Sequence, residues 1–413
     1  MNKFEEILKK QIKENYITSK DLKYKNESSL LLSPYEFGEY LNYKDELINK
    51  NEPLFVRLPL KSFNSKYIYY INCNELESYA SDYYNELNED LRENGSFLSF
   101  RMKNNIYTSR LYSEIEGSLN VENVSTTRKR LKDIIENGAD LENRNDIIIK
   151  NMDLATKFIL EKPDFNDENL FKLYNILSKD CLDEEDQLRK NEFYRYDDVE
   201  IDKYRGCPVD KIEPCMNTLF NFVNENLHSS NNVLLPHIAH YYILYVHPYF
   251  DYNGRTARMV SLWINILIEG NNILPPVISE AINQTKNNYY KAIEESRDSH
   301  NDLTYFLIYI YKTYVNYYLC YRNIESISDY AKNEGEVLTD TDFNYIKRIL
   351  ISNKGAFTYQ DFLKMCNIEI TKQGALKILN KYADLGILLV KETKSKNKLF
   401  EINNKIVKYR TNF

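Results

Sequence analysis

The sequence predicts a mainly α-helical protein built from two or three domains. Its 413 residues exceed the roughly 100–200 residues of a typical single domain. Only 11 glycines and 10 prolines interrupt the chain, which favours long helices. Apolar residues recur every three or four positions in 170–177 and in 216–223, which is the spacing of helices that bury one face. We therefore expect a helical bundle in the middle of the chain.

The composition excludes several classes of protein. With 43% hydrophobic and 14% aromatic residues, the chain can build packed cores, so disorder throughout is excluded. It has no apolar run of about eighteen residues and no apolar N-terminal segment, so we expect no membrane span, no signal peptide and a cytoplasmic location. The six cysteines lie far apart without a CxxC pair, so we expect them to be reduced thiols. A net charge of −7 argues against a protein that coats nucleic acid with its whole surface.

The pattern along the chain divides it into three regions. Residues 1–100 are predicted to have mixed structure, in which 54–60 and 66–71 are candidate short strands. Residues 101–330 are predicted to form the helical core, and residues 335–413 a separate C-terminal domain.

The C-terminal domain is predicted to be a winged helix-turn-helix. Its segment 343–413 contains 14 Lys or Arg and 5 Asp or Glu, a net charge of +9, which leaves −16 for the rest of the chain. The predicted helices and strands are 343–352, 359–366, 371–385, 387–390 and 398–402.

In such a domain the third helix enters the major groove of DNA and the wing contacts phosphate groups. The candidate contacts are Lys372, Lys377, Lys381, Lys394 and Lys396. Winged helices also dock proteins or form dimers, so DNA, another protein and a homodimer all remain open as partners.

The segment His247–Arg258 carries the most informative chemistry of the sequence. It lies between two helical patterns and is predicted to form a loop between two buried helices. Asn253 and Gly254 come directly before the second helix, where unpaired N–H groups and the helix dipole attract an anion. Arg255 and Arg258, three residues apart, add two guanidinium groups suited to consecutive phosphates.

Two further residues of this loop fit chemistry on a polyphosphate. Asp251 offers an oxygen ligand for Mg²⁺, which on nucleotide phosphates normally has one or two carboxylates and water. His247 lies where a general base could reach an incoming hydroxyl group. The structural alternative, a helix cap with salt bridges, does not account for so many phosphate-binding groups.

These residues resemble the signature of the Fic family, HPFx(D/E)GNGRxxR. The matching positions are His247, Pro248, Asp251, Asn253, Gly254, Arg255 and Arg258. Two positions differ: Tyr249 replaces a Phe, and Tyr252 replaces a Gly beside the phosphate-binding loop. The wider resemblance runs from about residue 101 to 323 and includes 199–210, in the place of the family's target-binding flap.

The resemblance implies a Fic-like helical core and a protein adenylyltransferase. Such an enzyme transfers AMP from ATP, its co-substrate, to a Tyr, Ser or Thr hydroxyl group of a protein, itself included, and uses Mg²⁺. The implied roles are catalytic for His247, metal-binding for Asp251, and nucleotide-binding for Asn253, Gly254, Arg255 and Arg258.

A second motif, Tyr112–Ser118, resembles the family's inhibitory signature (S/T)xxxE(G/N). Glu116 and Gly117 match it, whereas Tyr112 stands where the signature has Ser or Thr. In the family this glutamate pairs with the last arginine of the catalytic motif and blocks the productive nucleotide pose. We therefore expect Glu116 to pair with Arg258 and to inhibit the enzyme.

Two other functions remain open from the sequence. The same site could remove AMP from a modified protein, with Glu116 positioning the attacking water. Alternatively, the chain is a DNA-binding transcriptional regulator whose Fic-like core senses nucleotide. His237 and His240 raise the idea of a transition-metal site, but no cysteine or acidic partner is spaced to complete it, so a packing role is favoured.

Overall fold

The computed structural model is mainly helical, which confirms the predicted fold class. It falls into two compact units, Met1–Tyr311 and Lys312–Phe413. Within the described part of the chain, no helix combines the length and apolar character needed to cross a membrane. The described residues are 3–24, 32–96, 100–124, 126–201, 203–229, 232–269, 278–352, 354–366, 368–391, 398–409 and 411.

Among its described residues, the first unit contains α-helices and two short β-hairpins. Its helices are α1 (Lys3–Lys13), α2 (Ser19–Tyr24), α3 (Pro34–Asn49), α4 (Asn74–Ser96), α5 (Phe100–Val121), α6 (Arg128–Ile135), α7 (Arg144–Leu160), α8 (Asp167–Ser178), α9 (Val209–Asn226), α10 (Leu235–Val246), α11 (Asn253–Glu269), α12 (Ile278–Gln284), α13 (Lys286–Asp298) and the start of α14 (Thr304–Asn333). The antiparallel strand pairs are β1 (Phe55–Arg57) with β2 (Tyr69–Ile71), and β3 (Glu200–Ile201) with β4 (Tyr204–Arg205). The strands β1 and β2 lie in the two segments for which the sequence predicts strands.

Helices α10 and α11 pack against each other in the core of this unit. α10 is buried on nearly all sides, and Tyr241 and Val246 are inaccessible to solvent. On α11, the indole of Trp263 packs edge-on against Phe158 and Phe165. The short loop that joins the two helices is therefore anchored at both ends by buried structure.

In the described part of the second unit, three helices and a three-stranded antiparallel sheet follow the end of α14. Its elements are α15 (Asp340–Ile351), β5 (Ala356–Phe357), α16 (Tyr359–Cys366), α17 (Lys372–Asp384), β6 (Leu388–Lys391) and β7 (Leu399–Ile402). The strand order is β5-β7-β6. The helices and strands predicted within 343–402 are confirmed, whereas β5 is too short to give a sequence pattern.

The lysines predicted to contact DNA have different surroundings. Nζ of Lys381 lies 3.1 Å from an Asp342 carboxylate oxygen and 3.6 Å from one of Glu336. Lys372 and Lys377 are exposed on α17. Lys394 and Lys396 lie outside the described residues. The positive charge of Lys381 is thus balanced by carboxylates of its own unit, whereas Nζ of Lys372 lies 5.2 Å from the centroid of the Tyr359 ring.

The core of the second unit includes side chains from the end of α14. Cys320, Ile324, Ile327 and Ala331 are buried together with residues of α15, α16 and α17. The division at residues 311 and 312 therefore lies before the boundary near 335 that the sequence indicates, because α14 supplies one wall of this core.

We predict that a fragment of residues 312–413 folds more stably than one of residues 335–413. The shorter fragment lacks the four buried α14 side chains. Burying one large apolar side chain raises the free energy of unfolding by roughly 1.5–3 kcal/mol. Thermal unfolding followed by circular dichroism should give midpoints that differ by more than about 10 °C. Equal midpoints would show that α14 is dispensable for this core.

Candidate active site

His247 ends α10 and opens the loop that carries the signature. Its φ of 54° is the left-handed conformation that often terminates a helix. Its N–H donates to the Ile243 carbonyl at 2.8 Å, and its own carbonyl accepts from Arg195 Nε at 2.8 Å. Burial lowers the pKa of the imidazole to about 3, and the charges of Arg297 and Arg195 act in the same direction. The ring is therefore neutral at pH 7 and can accept a proton.

Arg195 joins this loop to the β3–β4 hairpin, although its side chain is completely buried. Besides the His247 carbonyl, the guanidinium donates to the carbonyls of Asp197, at 2.6 Å, and Cys207. The Arg195 N–H donates to the Pro248 carbonyl at 3.0 Å. Because a buried guanidinium requires acceptors, these carbonyls and the arginine fix one another. The hairpin lies within 199–210, the segment that resembles the family's flap.

The side chain of Asn253 bridges the loop through two hydrogen bonds to the Tyr249 backbone. Its side-chain oxygen accepts from the Tyr249 N–H at 3.0 Å, and its amide nitrogen donates to the Tyr249 carbonyl at 2.8 Å. The Tyr249 ring stacks on Tyr174 with 3.7 Å between ring centroids and 9° between the ring planes. The Tyr that replaces the signature Phe therefore keeps the aromatic packing of that position.

Asp251 and Arg255 lie at the start of α11 on the same side of the loop. An Asp251 carboxylate oxygen lies 3.7 Å from Arg255 Nη2, and the Asp251 side chain is about half exposed. The other oxygen accepts from the Tyr252 N–H at 2.6 Å. An accessible carboxylate beside this helix terminus fits the ligand set that Mg²⁺ takes on nucleotides.

The acidic partner of Arg258 is Glu122, which follows α5. Glu122 Oε1 lies 2.8 Å from Arg258 Nη2, and Arg258 also donates to the Ser118 hydroxyl at 3.2 Å and the Ser118 carbonyl at 3.3 Å. A Cβ built on Gly254 would lie only 2.7 Å from Glu122 Oε1. The carboxylate thus rests against the first turn of α11, where the sequence predicts that an anion binds.

The surroundings of Glu122 favour its charged form. Burial acts to raise its pKa, but the charge and hydrogen bond of Arg258, with the charges of Arg255 and Lys286, outweigh it and hold the pKa below its ordinary value. Lys286 also donates to the side chain of Asn123 at 2.7 Å. Three cations therefore surround a position that now holds a carboxylate.

The structure contradicts the expected pairing of Glu116 with Arg258. Its carboxylate lies 3.5 Å from Arg128 Nη1 rather than next to Arg258, and its side chain is partly exposed. Tyr112, from the same predicted motif, donates to Glu136 at 2.6 Å. Residues six positions apart on an α-helix point in directions about 120° apart, so the face that carries Glu116 differs from the one that leads to Glu122.

The sequence contained the signal that identifies Glu122. The segment Ser118–Asn123 reads SLNVEN and satisfies every position of (S/T)xxxE(G/N). The predicted motif, which begins at Tyr112, satisfies the signature only at its last two positions. Comparison with the complete signature would have selected Glu122 over Glu116.

Helix α5 is held in place by a close contact with α12. The Glu114 carboxylate is buried and accepts from the Ser279 N–H at 2.8 Å and from the Ser279 hydroxyl. Burial raises the pKa of Glu114 to about 7, although the Ser279 hydrogen bonds and the charge of Arg258 act against it. At Gly117 the helices approach so closely that a Cβ would lie 2.3 Å from the Glu280 backbone nitrogen. This packing fixes the part of α5 that leads to Glu122.

The two histidines of α10 are buried in the core. His240 Nε2 is hydrogen-bonded to the Tyr289 hydroxyl at 2.8 Å, and the His237 ring packs edge-on against Tyr311. Burial lowers the pKa of His237 to about 3. These contacts are those of packed side chains.

Comparison with known proteins finds a family match for part of the sequence. Residues 164–264, which include the loop and most of α11, match the Fic/DOC family. The match to the Fic/DOC family covers these residues and includes the whole segment His247–Arg258. Members of that family commonly transfer AMP or another nucleoside monophosphate onto proteins, typically with ATP and Mg²⁺. No curated protein sequence matches the chain.

Solved structures are similar to this chain at low sequence identity. A Fic family protein from Desulfovibrio desulfuricans G20 matches with a TM-score of 0.50 and 16% identity, over 81% of this chain and 97% of that one. Fic-1 from C. elegans matches with a TM-score of 0.48 and 18% identity, over 61% of this chain and 74% of that one. A Fic domain containing signaling protein from Bacteroides thetaiotaomicron VPI-5482 matches with a TM-score of 0.43 and 17% identity, over 59% and 91% of the two chains.

We predict that Gly117→Ala destabilises the protein, because its Cβ would overlap the backbone of α12. Overpacking of this kind lowers the free energy of unfolding by about 1–3 kcal/mol. Gly38→Ala is the matched control, since Gly38 lies inside α3 with no atom within 4 Å of a built Cβ. That control should gain about 0.5–1 kcal/mol. Urea unfolding of both variants measures the difference, and equal stabilities would contradict the close contact.

Proposed function

We propose that this protein is an adenylyltransferase that transfers AMP from ATP to a Tyr, Ser or Thr hydroxyl group of a protein, itself included, and that Glu122 inhibits it. The observation that carries the proposal is the Glu122 carboxylate, bound to Arg258 against the N-terminus of α11. An acidic side chain there uses the same cation and the same helix terminus that would stabilise a nucleotide phosphate.

His247 supports the proton transfer that this reaction needs. Its neutral imidazole would take the proton of the acceptor hydroxyl as the hydroxyl oxygen forms a bond to the α-phosphorus of ATP. The bond from that phosphorus to the oxygen bridging the α- and β-phosphates breaks, and pyrophosphate leaves. The Arg195 hydrogen bond to the His247 carbonyl supports this role, because it orients the residue before a target binds.

The start of α11 supports phosphate binding. Asn253 and Gly254 bring backbone N–H groups to the α-phosphate, and Arg255 and Arg258 would bind the β- and γ-phosphates. Mg²⁺ supplies stabilisation of the phosphate charge when it is bound, and Asp251 would be its carboxylate ligand.

Glu122→Gly should raise AMP transfer strongly. The change frees Arg258 and removes the carboxylate from the anion site, so the phosphates can adopt the orientation required for attack. Such orientation effects reach on the order of a hundredfold or more in rate. The measurement is incorporation of label from ATP labelled at the α-phosphate into the protein itself and into proteins of a cell extract.

Two further variants act as controls for Glu122→Gly. Glu116→Gly should leave incorporation unchanged, because Glu116 pairs with Arg128. Adding His247→Ala to Glu122→Gly should abolish incorporation. If Glu116→Gly activates and Glu122→Gly does not, the inhibitory role of Glu122 is wrong. If neither variant transfers AMP but the wild type releases AMP from a modified protein, removal of AMP is the better assignment.

The pH dependence of transfer provides an independent check on His247. A base with a pKa of about 3 stays neutral as the pH falls from 7.5 to 5.5, and its function is lost only near that pKa. The kcat/KM of Glu122→Gly should therefore show no acid limb near pH 6.5, the ordinary pKa of histidine. An acid limb near pH 6.5 in the variants that retain His247 would show that the imidazole becomes protonated in that range.

We also propose that residues 335–413 form a winged helix that binds DNA through α17. The order of three helices and a three-stranded antiparallel sheet supports this assignment. DNA affinity should fall steeply with salt, and Lys372→Glu with Lys377→Glu should weaken it more than Lys381→Glu, because Lys381 already pairs with two carboxylates. Fluorescence anisotropy with labelled duplex DNA measures both effects. No binding at low salt would favour a protein partner.

A further inference from the structure

Tyr252 occupies a backbone position that is unfavourable for a residue with a side chain. Its φ is 66°, in the left-handed region that glycine adopts without strain. The Fic signature has a glycine here, so the strain is a particular feature of this chain. A strained residue beside a reaction centre persists when the surrounding structure compensates for it, and it indicates a functional role.

The compensation comes from Arg255. The Tyr252 side chain is buried, with 2% of the residue exposed, and the Arg255 guanidinium carbon lies only 3.4 Å from the centroid of the Tyr252 ring. This is the geometry of a close cation–π contact, which is strongest where water is excluded. Arg255 itself is 7% exposed. The ring and the guanidinium therefore pack directly against each other at the first turn of α11.

The polar contact of Arg255 with Asp251 is long. Its Nε has no hydrogen-bond acceptor among the described residues, and its Nη2 is 3.7 Å from the Asp251 carboxylate. The backbone of Tyr252 is fixed separately: its N–H donates to Asp251 and its carbonyl accepts from the Thr256 N–H at 2.9 Å. The ring is thus a rigid platform, and the guanidinium is the part that it orients.

We propose that Tyr252 is a positioning residue, which holds the Arg255 guanidinium in its phosphate-binding orientation. This inference rests on the proposed nucleotide site and adds a residue that acts through Arg255 rather than on the nucleotide itself. An arginine already fixed on an aromatic ring loses less conformational entropy when phosphates bind. The strained tyrosine thereby strengthens the binding of di- and triphosphates relative to a monophosphate, which lacks the groups that Arg255 binds.

The test is the binding of ATP with Mg²⁺ by isothermal titration calorimetry, in the Glu122→Gly protein. Tyr252→Gly should weaken ATP binding by on the order of tenfold, as expected for loss of a buried cation–π contact. The glycine relieves the strained φ, so this variant should fold. Tyr252→Leu, which keeps apolar bulk without an aromatic face, should show the same loss. Tyr252→Phe keeps the ring and should bind within about twofold of its parent.

Two controls separate positioning from a general structural role. With Arg255→Ala in the background, Tyr252→Gly should cause no further loss of ATP affinity, because the ring acts through the missing guanidinium. AMP affinity should be unchanged by Tyr252→Gly in the Arg255-containing protein. Equal ATP affinity of Tyr252→Gly and its parent would overturn the inference while leaving the nucleotide site intact. The same conclusion would follow if Tyr252→Gly lowered ATP affinity equally with and without Arg255→Ala. No ATP binding by the parent would overturn the nucleotide site and this inference with it.

Discussion

The ion pair between Glu122 and Arg258 is the interaction on which the candidate site depends. Arg258 is buried, so its charge requires acceptors inside the protein, and Glu122 and Ser118 supply them. The same guanidinium and the same helix terminus are the groups that a nucleotide phosphate would use. Under the proposed function, a phosphate and the Glu122 carboxylate would compete for one position, and electrostatics alone would account for inhibition.

Two packed assemblies meet at this ion pair. On one side, α10 and α11 flank the loop. There Arg195 is hydrogen-bonded to the His247 carbonyl, and Asn253 is hydrogen-bonded to Tyr249. On the other side, α5 is held on α12 by the Glu114 carboxylate and by the close approach at Gly117. Gly117 therefore influences where Glu122 lies through the placement of the helix, although Gly117 does not itself contact Arg258.

The sequence predicted the parts of the site whose geometry follows from spacing. The residues from His247 to Arg258 occupy one loop and one helical turn, so their proximity needs no knowledge of distant packing. The choice between Glu116 and Glu122 depends on which face of α5 meets α11, and that is set by contacts with α12. The full signature at Ser118 could have decided it. The cation–π contact of Tyr252 leaves no pattern in the sequence, because it arises only when a strained residue packs on its neighbour. Cys320, Ile324, Ile327 and Ala331 recur at helical spacing, but that spacing does not say which core this face of α14 joins.

The affinity for ATP with Mg²⁺, compared between the wild type and Glu122→Gln by calorimetry, tests the competition at Arg258 most directly. Glutamine keeps the size and the hydrogen-bonding oxygen of the side chain but removes the negative charge from the anion site. If the carboxylate and a phosphate compete, Glu122→Gln should bind ATP on the order of tenfold more tightly, since a like charge no longer opposes the phosphate. Equal or weaker binding by Glu122→Gln would contradict the claim that Glu122 occupies the phosphate position.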